Sequence, residues 1–273
     1  MKFSAGQRGS AAFLIGTALC LAMCAAFSVP SYAFDDSSYE VASGSASHLR
    51  EGATITFTAS ENTIINFPTF NINENETVIF NVPSSDSRIL TRVTGGSPSE
   101  IMGTLVCPGQ FFHVNEAGIH IGDKATIDVA SAVFSTRNIS DSDFLSGNYL
   151  FKKMDENARD MLLLNRGQIK ISNGGFGIFI AGAVHNEGLI VAPAGNIVLA
   201  CGNAVRIGIS EGGRIGVAIE EKVAATVYGY DGKPITEQIR NTGEINAAGG
   251  TIILKAESIV DIFEKAINLD GIV

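Results

Sequence analysis

Asn165-Arg166-Gly167-Gln168-Ile169, Asn186-Glu187-Gly188-Leu189-Ile190 and Asn241-Thr242-Gly243-Glu244-Ile245 are three copies of one pattern, N-x-G-x-I. The first two Asn lie 21 residues apart and the next pair 55 apart. A second pattern keeps the same offset. Gly195-Asn196-Ile197-Val198-Leu199 and Gly250-Thr251-Ile252-Ile253-Leu254 are also 55 apart, with a looser relative at Gly175 to Ile180. Short apolar strands between Gly and Asn turns, repeating about every 20 residues, are the signature of a solenoid.

The physical reason lies in strands such as Ile252-Ile253-Leu254-Lys255-Ala256. Alternation puts Ile252, Leu254 and Ala256 on one face and Lys255 on the other, where it is expected to meet water. One coil cannot bury its apolar face alone. A second coil stacked about 4.8 Å above gives each backbone a ladder partner and each Ile an apolar neighbour. Asn165, Gly167, Asn186, Gly188, Asn241 and Gly243 are therefore read as coil corners. Asn and Gly there tolerate left-handed backbone angles, and stacked Asn side chains can ladder their amides. The 55-residue step predicts an excursion, placed at Ala218 to Arg240, which holds Tyr228, Tyr230 and the Asp231-Gly232-Lys233-Pro234 turn. A β-sandwich or jelly roll shares the short strands but not the fixed register. The expected fold is all-β: a right-handed parallel β-helix with an N-terminal cap and β insertions outside the coils.

Earlier in the chain, Thr54-Ile55-Thr56-Phe57, Thr63 to Phe67, Thr77 to Phe80 and Gly118 to Ile121 read as strands, and Asn157 to Leu164 as a short helix. Residues 1–33 read as a secretory signal peptide. Lys2 and Arg8 precede an apolar run from Ala11 to Val29, and Ser31-Tyr32-Ala33 offers small residues at a cleavage site. Residues 34–273 then form one domain. Asn268-Leu269-Asp270-Gly271-Ile272 reads as the opening of another coil, which fits either a short exported protein or a piece of a longer one.

Loss of Lys2 and Arg8 leaves 17 Lys and Arg against 28 Asp and Glu, a net charge of −11. That balance argues against nucleic acid and anionic lipid as partners, since both need a cationic face. Cys20 and Cys24 leave with the signal. Cys107 and Cys201 each follow a Leu by two residues in an alternating segment and read as small buried hydrophobes.

The sequence offers no catalytic, cofactor or metal constellation. His48, His113, His120 and His185 have no ligand spacing. His113 and His120 alternate with apolar neighbours and are expected to point outward. Asp141-Ser142-Asp143 reads as a solvated turn, whereas a β-helix lyase needs several convergent carboxylates. Gly174-Gly175-Phe176-Gly177 opens like a calcium nonapeptide, but Ile178 and Phe179 stand where the Asp is needed.

A family resemblance spans most of the chain after the signal. Ile65-Asn66-Phe67-Pro68-Thr69-Phe70-Asn71-Ile72 is similar to the "INW-x-SFNI" segment of the filamentous-haemagglutinin N-terminal, or haemagglutination-activity, family. Arg88 to Gly96 with Ser97-Pro98-Ser99 resembles "VLNRVTGG-x-PS". Phe112 to Ile119 stands where the family writes "LINPNGI", and Phe144 to Tyr149 resembles "DFLAGNY". Asn115, Gly118 and Ile119 keep the Asn, Gly and Ile of NPNGI, while Glu116 and Ala117 depart from it. The resemblance implies a secreted or surface-attached, adhesin-like exoprotein that crosses the periplasm after Sec export. It implies recognition by the POTRA domains of a two-partner-secretion outer-membrane transporter, through a turn motif of Asn66, Asn71, Asn115, Gly118 and Ile119. A host or cell-surface receptor or glycan is a further expected partner. The alternative reading is a β-helix carbohydrate-active enzyme or carbohydrate-binding surface protein.

Overall fold

The computed structural model describes Met1, residues 34–210 and residues 213–273. The signal-peptide reading of residues 1–33 lies outside the described residues. The chain winds as a parallel β-helix whose coils present three stacked faces. The first face stacks Thr54–Ala59, Thr77–Asn81, the opening half of Thr104–Val114, the opening half of Thr126–Ser135, Gln168–Ile171, Leu189–Val191 and Glu244–Asn246. The second stacks Thr63–Phe67, Arg88–Val93, the closing halves of the two long strands, Phe176–Ala181, Asn196–Cys201 and Thr251–Ala256. The third stacks Ser99–Ile101, Ile119–Ile121, Leu163–Asn165, Val184–Asn186, Glu237–Asn241 and Lys265–Leu269. Pairing within each stack is parallel, as in Ile169 beside Ile190 and Ile190 beside Ile245.

Residues facing the axis form one core, including Ile127, Ile169, Ile190 and Ile245. A column of rings climbs through it: Phe57 to Phe80 at 5.1 Å, Phe80 to Phe111 at 5.3 Å, Phe111 to Phe134 at 6.0 Å and Phe134 to Phe179 at 5.9 Å. Two antiparallel strands close its lower end. Glu40–Ser43 pairs with Thr63–Phe67, and Ala46–Glu51 with Thr54–Ala59. They occupy edges that would otherwise template further pairing. Phe34 plugs this end between Phe57, Phe67 and Phe70.

The second face is buried on both sides. Outside it lies an antiparallel sheet of Tyr149–Lys152, Ala204–Ile209 and Ile215–Glu221. That cover explains why Phe176–Ala181 is buried at every position. Phe179 and Ala181 join the axial core, while Phe176, Ile178 and Ile180 join the outer one.

Five expectations are corrected. Asn157 to Leu164 is no helix: it contains the strands Asp160–Met161 and Leu163–Asn165. Leu163 fills the axial core while Leu162 and Leu164 lie under Val223 and Val227, so burial on two sides produced an apolar run without strand alternation. Asp141 to Asp143 is no simple turn but opens the α-helix Asp141–Ser146. Ser140 caps it by accepting from the Asp143 amide, and Gly147 ends it at φ +75°. The excursion begins at Ala204 rather than Ala218, and Arg240 has already returned to the third face beside His185. Lys255 does leave the core, but it is half-buried, and its Nζ donates to the Val217 carbonyl at 3.3 Å. His113 is buried inside rather than pointing outward; only His120 turns its side chain away from the core.

Candidate functional site

Asn115 ends the second face and turns the chain into the third. Its side chain is fully buried and completely bonded. Nδ2 donates to the Ser97 carbonyl at 3.0 Å and to Ser99 Oγ at 2.9 Å, while Oδ1 accepts the Ala117 amide at 2.9 Å. The last bond is an Asx turn, which mimics a backbone turn with a side chain. Gly118 then sits at φ +118°, a region closed to most side chains. A Cβ there would also lie 2.9 Å from the Tyr230 hydroxyl. Ile119 drops into the axial core between Ser99 and Leu163. The substituted positions, Glu116 and Ala117, are the half-exposed ones. Glu116 is not idle: it accepts from Asn138 Nδ2 and from the Met154 amide, both at 3.0 Å.

Ser99 extends this arrangement into a polar chain that the sequence did not reveal. Thr91 Oγ1 donates to the Phe112 carbonyl at 3.1 Å, so it accepts from His113 Nδ1 at 2.9 Å. His113 is thereby the Nδ1–H tautomer, and its Nε2 accepts from Ser99 Oγ at 2.9 Å. The ring lies among Phe70, Phe111 and Phe134. Burial holds its pKa down to about 3, so it is neutral. A Ser beside a His resembles a nucleophile and its base. Here both are sealed from solvent, no carboxylate orients the ring, and no substrate can reach it.

Of the other motif residues, Asn71 joins this cluster and Asn66 does not. Asn71 Oδ1 accepts from the Glu100 amide at 2.9 Å, on the strand that carries Ser99. Asn66 lies on the outer side of the second face, where its Oδ1 accepts from Arg92 at 3.1 Å. Arg92 also reaches Asn138 Oδ1, the Ile139 carbonyl and Asp141. Its neighbour Arg88 holds Asn62, the Tyr149 hydroxyl and the Phe144 carbonyl. The two arginines thus tie the second face to the helix and the strand after it. Every segment of the family resemblance meets another through a named side chain.

The corner residues lie on later coils. Asn165 Nδ2 donates to Asn186 Oδ1 at 2.7 Å, and Asn186 Nδ2 to Asn241 Oδ1 at 2.7 Å. The left-handed explanation for these positions is corrected: none of the six has a positive φ. Gly is required by proximity. A Cβ on Gly188 would strike the Gly167 carbonyl, and one on Gly243 the Gly188 carbonyl.

Further residues escaped sequence reading. Arg137 and Asp160, both fully buried, form a two-pronged ion pair at 2.8 and 2.7 Å, and Arg137 Nε donates to the Gly202 carbonyl. Cys107 and Cys201 are free and buried, and burial pushes the Cys107 thiol up to about 11 and Cys201 higher still. Among the described residues, no group of three His, Cys, Asp or Glu is placed to hold a metal ion. No helix among them is long and apolar enough to cross a membrane.

A capped parallel β-helix whose buried turn motif and corner ladders couple successive coils defines a solenoid module. The model of the TPS secretion domain matches residues 35–273, and the chain belongs to that family. It is a two-partner secretion domain of the kind carried by exported proteins. It is 30% identical to a heme/hemopexin-binding protein of Haemophilus influenzae over 178 residues, 62% of this chain and 19% of that one. A second heme/hemopexin-binding protein from Haemophilus influenzae is 28% identical over 108 residues, 40% of this chain and 11% of that one. The crystal structure of the HMW1 secretion domain from Haemophilus influenzae superposes with a TM-score of 0.68 at 28% identity, covering 80% of this chain and 62% of that one. The match thus spans a fifth or less of the length of the two heme/hemopexin-binding proteins.

Proposed function

We propose that this domain commits its polypeptide to a dedicated outer-membrane transporter while still unfolded, and that folding outside the cell ends the commitment. After Sec export and cleavage behind Ala33, POTRA domains of the transporter take up the chain in the periplasm. Asn66, Asn71, Asn115, Gly118 and Ile119 are the residues they read. One observation carries this reading: Asn115, Gly118 and Ile119 are buried in the folded coil, with the Asn115 side chain fully bonded within the protein. A transporter can touch them only before the coil forms. Coil formation then withdraws Asn115, Gly118 and Ile119 and favours release. A solenoid suits this order, because each coil contacts only its neighbours and is added one at a time. The domain needs no cofactor and acts as no enzyme. A cell-surface receptor or glycan is met only after folding.

The test is co-expression with the cognate transporter and measurement of protein released into the medium. Release is expected only with the transporter, and mass spectrometry should give Phe34 as the first residue. Equal release without any transporter would refute the proposal.

A further inference from the structure

The plug at the lower end of the axial core carries an uneven set of charges. Phe34 is buried, and its backbone nitrogen donates to Glu76 Oε2 at 3.3 Å. Glu76 immediately precedes the strand Thr77–Asn81 and is itself 3% exposed. Oε2 also accepts the Asn73 amide at 2.9 Å, but among the described residues no donor bonds Oε1. Arg50 Nη1 stands 3.7 Å from Oε1, too far for a hydrogen bond. The same guanidinium is held elsewhere. Its Nε donates to Asp36 Oδ2 and its Nη2 to the Phe34 carbonyl, both at 2.8 Å. One guanidinium thus serves two carboxylates, and the deeper of them has an oxygen without a bond. Such a buried carboxylate is costly unless a further cation meets it.

The nitrogen beside Glu76 can become that cation. In an uncut chain the Phe34 nitrogen is a peptide amide, with one donor and no charge. Hydrolysis of the Ala33–Phe34 bond gives the water oxygen to the Ala33 carboxylate and leaves Phe34 an α-amine, which is protonated at neutral pH. An ammonium carries three donors and a full charge. From the same position it can bond Oε2 and turn a second donor to Oε1. Charge-assisted bonds of this kind are shorter and stronger than the amide contact they replace.

We infer that Glu76 is the binding site for the α-ammonium that cleavage behind Ala33 creates, so that removal of the signal peptide completes the cap of the β-helix. The Phe34 ring lies between Phe57, Phe67 and Phe70, so the site ties the new chain end to the first rings of the axial core. Processing is thereby coupled to closure of the first coil, and an uncut chain caps its coils less firmly. The inference rests on the proposed function for one point only, the position of cleavage.

The experiment compares two purified forms, one beginning at Phe34 and one keeping Ser31-Tyr32-Ala33 ahead of it, each with and without Glu76→Gln. In urea at neutral pH the extension should raise the unfolding equilibrium constant about tenfold or more. Glu76→Gln keeps an acceptor for the Asn73 amide. It should raise the constant by a similar factor in the form beginning at Phe34, and leave the extended form unchanged or more stable. If Glu76→Gln does not fold, the wild-type forms decide: an amine-directed label should modify the Phe34 α-amine about tenfold more slowly than the α-amine of the extended form. Equal stability of the two wild-type forms, equal effects of Glu76→Gln in both, or equal labelling rates would each overturn the inference. Mass spectrometry of protein released into the medium separates the two readings. A first residue other than Phe34 overturns the cleavage position and with it the role in processing, whereas Phe34 at the terminus without the coupling overturns the binding site alone.

Discussion

Asn115 reaches from the end of the second face to the third-face strand of the preceding coil and donates its side-chain amide to Ser99 Oγ at 2.9 Å. Ser99 in turn donates to His113, so a residue of the turn motif is linked through one hydroxyl to a histidine inside the core. Asn115→Ala removes the donor to Ser97 and Ser99 and strands the Ala117 amide. Buried groups left unpaired cost about 1–3 kcal/mol. Urea denaturation should show a loss of that size, and release through the transporter should fall. Unchanged release by the destabilised variant would show that the transporter does not read Asn115.

Acid should weaken the fold through His113. The pKa of its side chain is depressed from 6.5 to about 3 in the folded protein. Above pH 6.5 neither state holds the proton, and the full stability is present. Below it the unfolded chain takes up a proton that the folded chain refuses, so stability falls until pH approaches 3. The slope is about 1.4 kcal/mol per pH unit, or roughly 2–3 kcal/mol between pH 6.5 and 4.5. His113→Gln is less stable at neutral pH but should lose less stability over that interval than the wild type. Equal losses in paired urea titrations at pH 7.5 and 4.5 would show that His113 does not carry the acid response.

The Arg137–Asp160 pair should be far more sensitive to single than to double substitution. Asp160→Ala leaves a buried guanidinium without its counter-charge, a loss of about 3–5 kcal/mol. Arg137→Met with Asp160→Leu removes both charges at similar volume and should recover most of it. Thermal denaturation of the three proteins measures this. A double variant as unstable as the single one would show that the remaining bonds of Arg137, such as that to the Gly202 carbonyl, matter more than the pair.

Gly188 and Gly174 separate crowding from backbone strain. Gly188 has no positive φ, but a Cβ on it would strike the Gly167 carbonyl. Gly174 has φ +77° and open space around it. Gly174→Ala should cost about 1–2 kcal/mol from conformation alone. Gly188→Ala forces two coils apart and should cost about 3 kcal/mol or more. The reverse order in chemical denaturation would contradict the stacking register.

The repeat was readable because stacking acts on each coil separately. Gly188 faces the same carbonyl collision as Gly243, and Asn186 the same amide partners as Asn165 and Asn241, so the pattern recurs in sequence. The turn motif was suggested by its resemblance to a family, although Asn115, Gly118 and Ile119 prove to be interior while Asn66 and Asn71 stay half-exposed. The ion-pair row of Arg166, Glu187, Arg240 and Glu237 was not readable, because its members come from three coils and each alone looks like a solvated charge.

By itself, then, the sequence determined the solenoid and its coil period, because local alternation and close backbone approach leave marks at fixed spacing. Only the tertiary structure decided which side of each strand is covered. The outer sheet turned Phe176–Ala181 into a strand buried on both sides, the excursion put Leu162 and Leu164 under cover, and Thr91 and Ser99 gave His113 an interior place. Burial depends on what an element distant in the chain lays over a residue, and such a partner leaves no periodic trace at the position it covers.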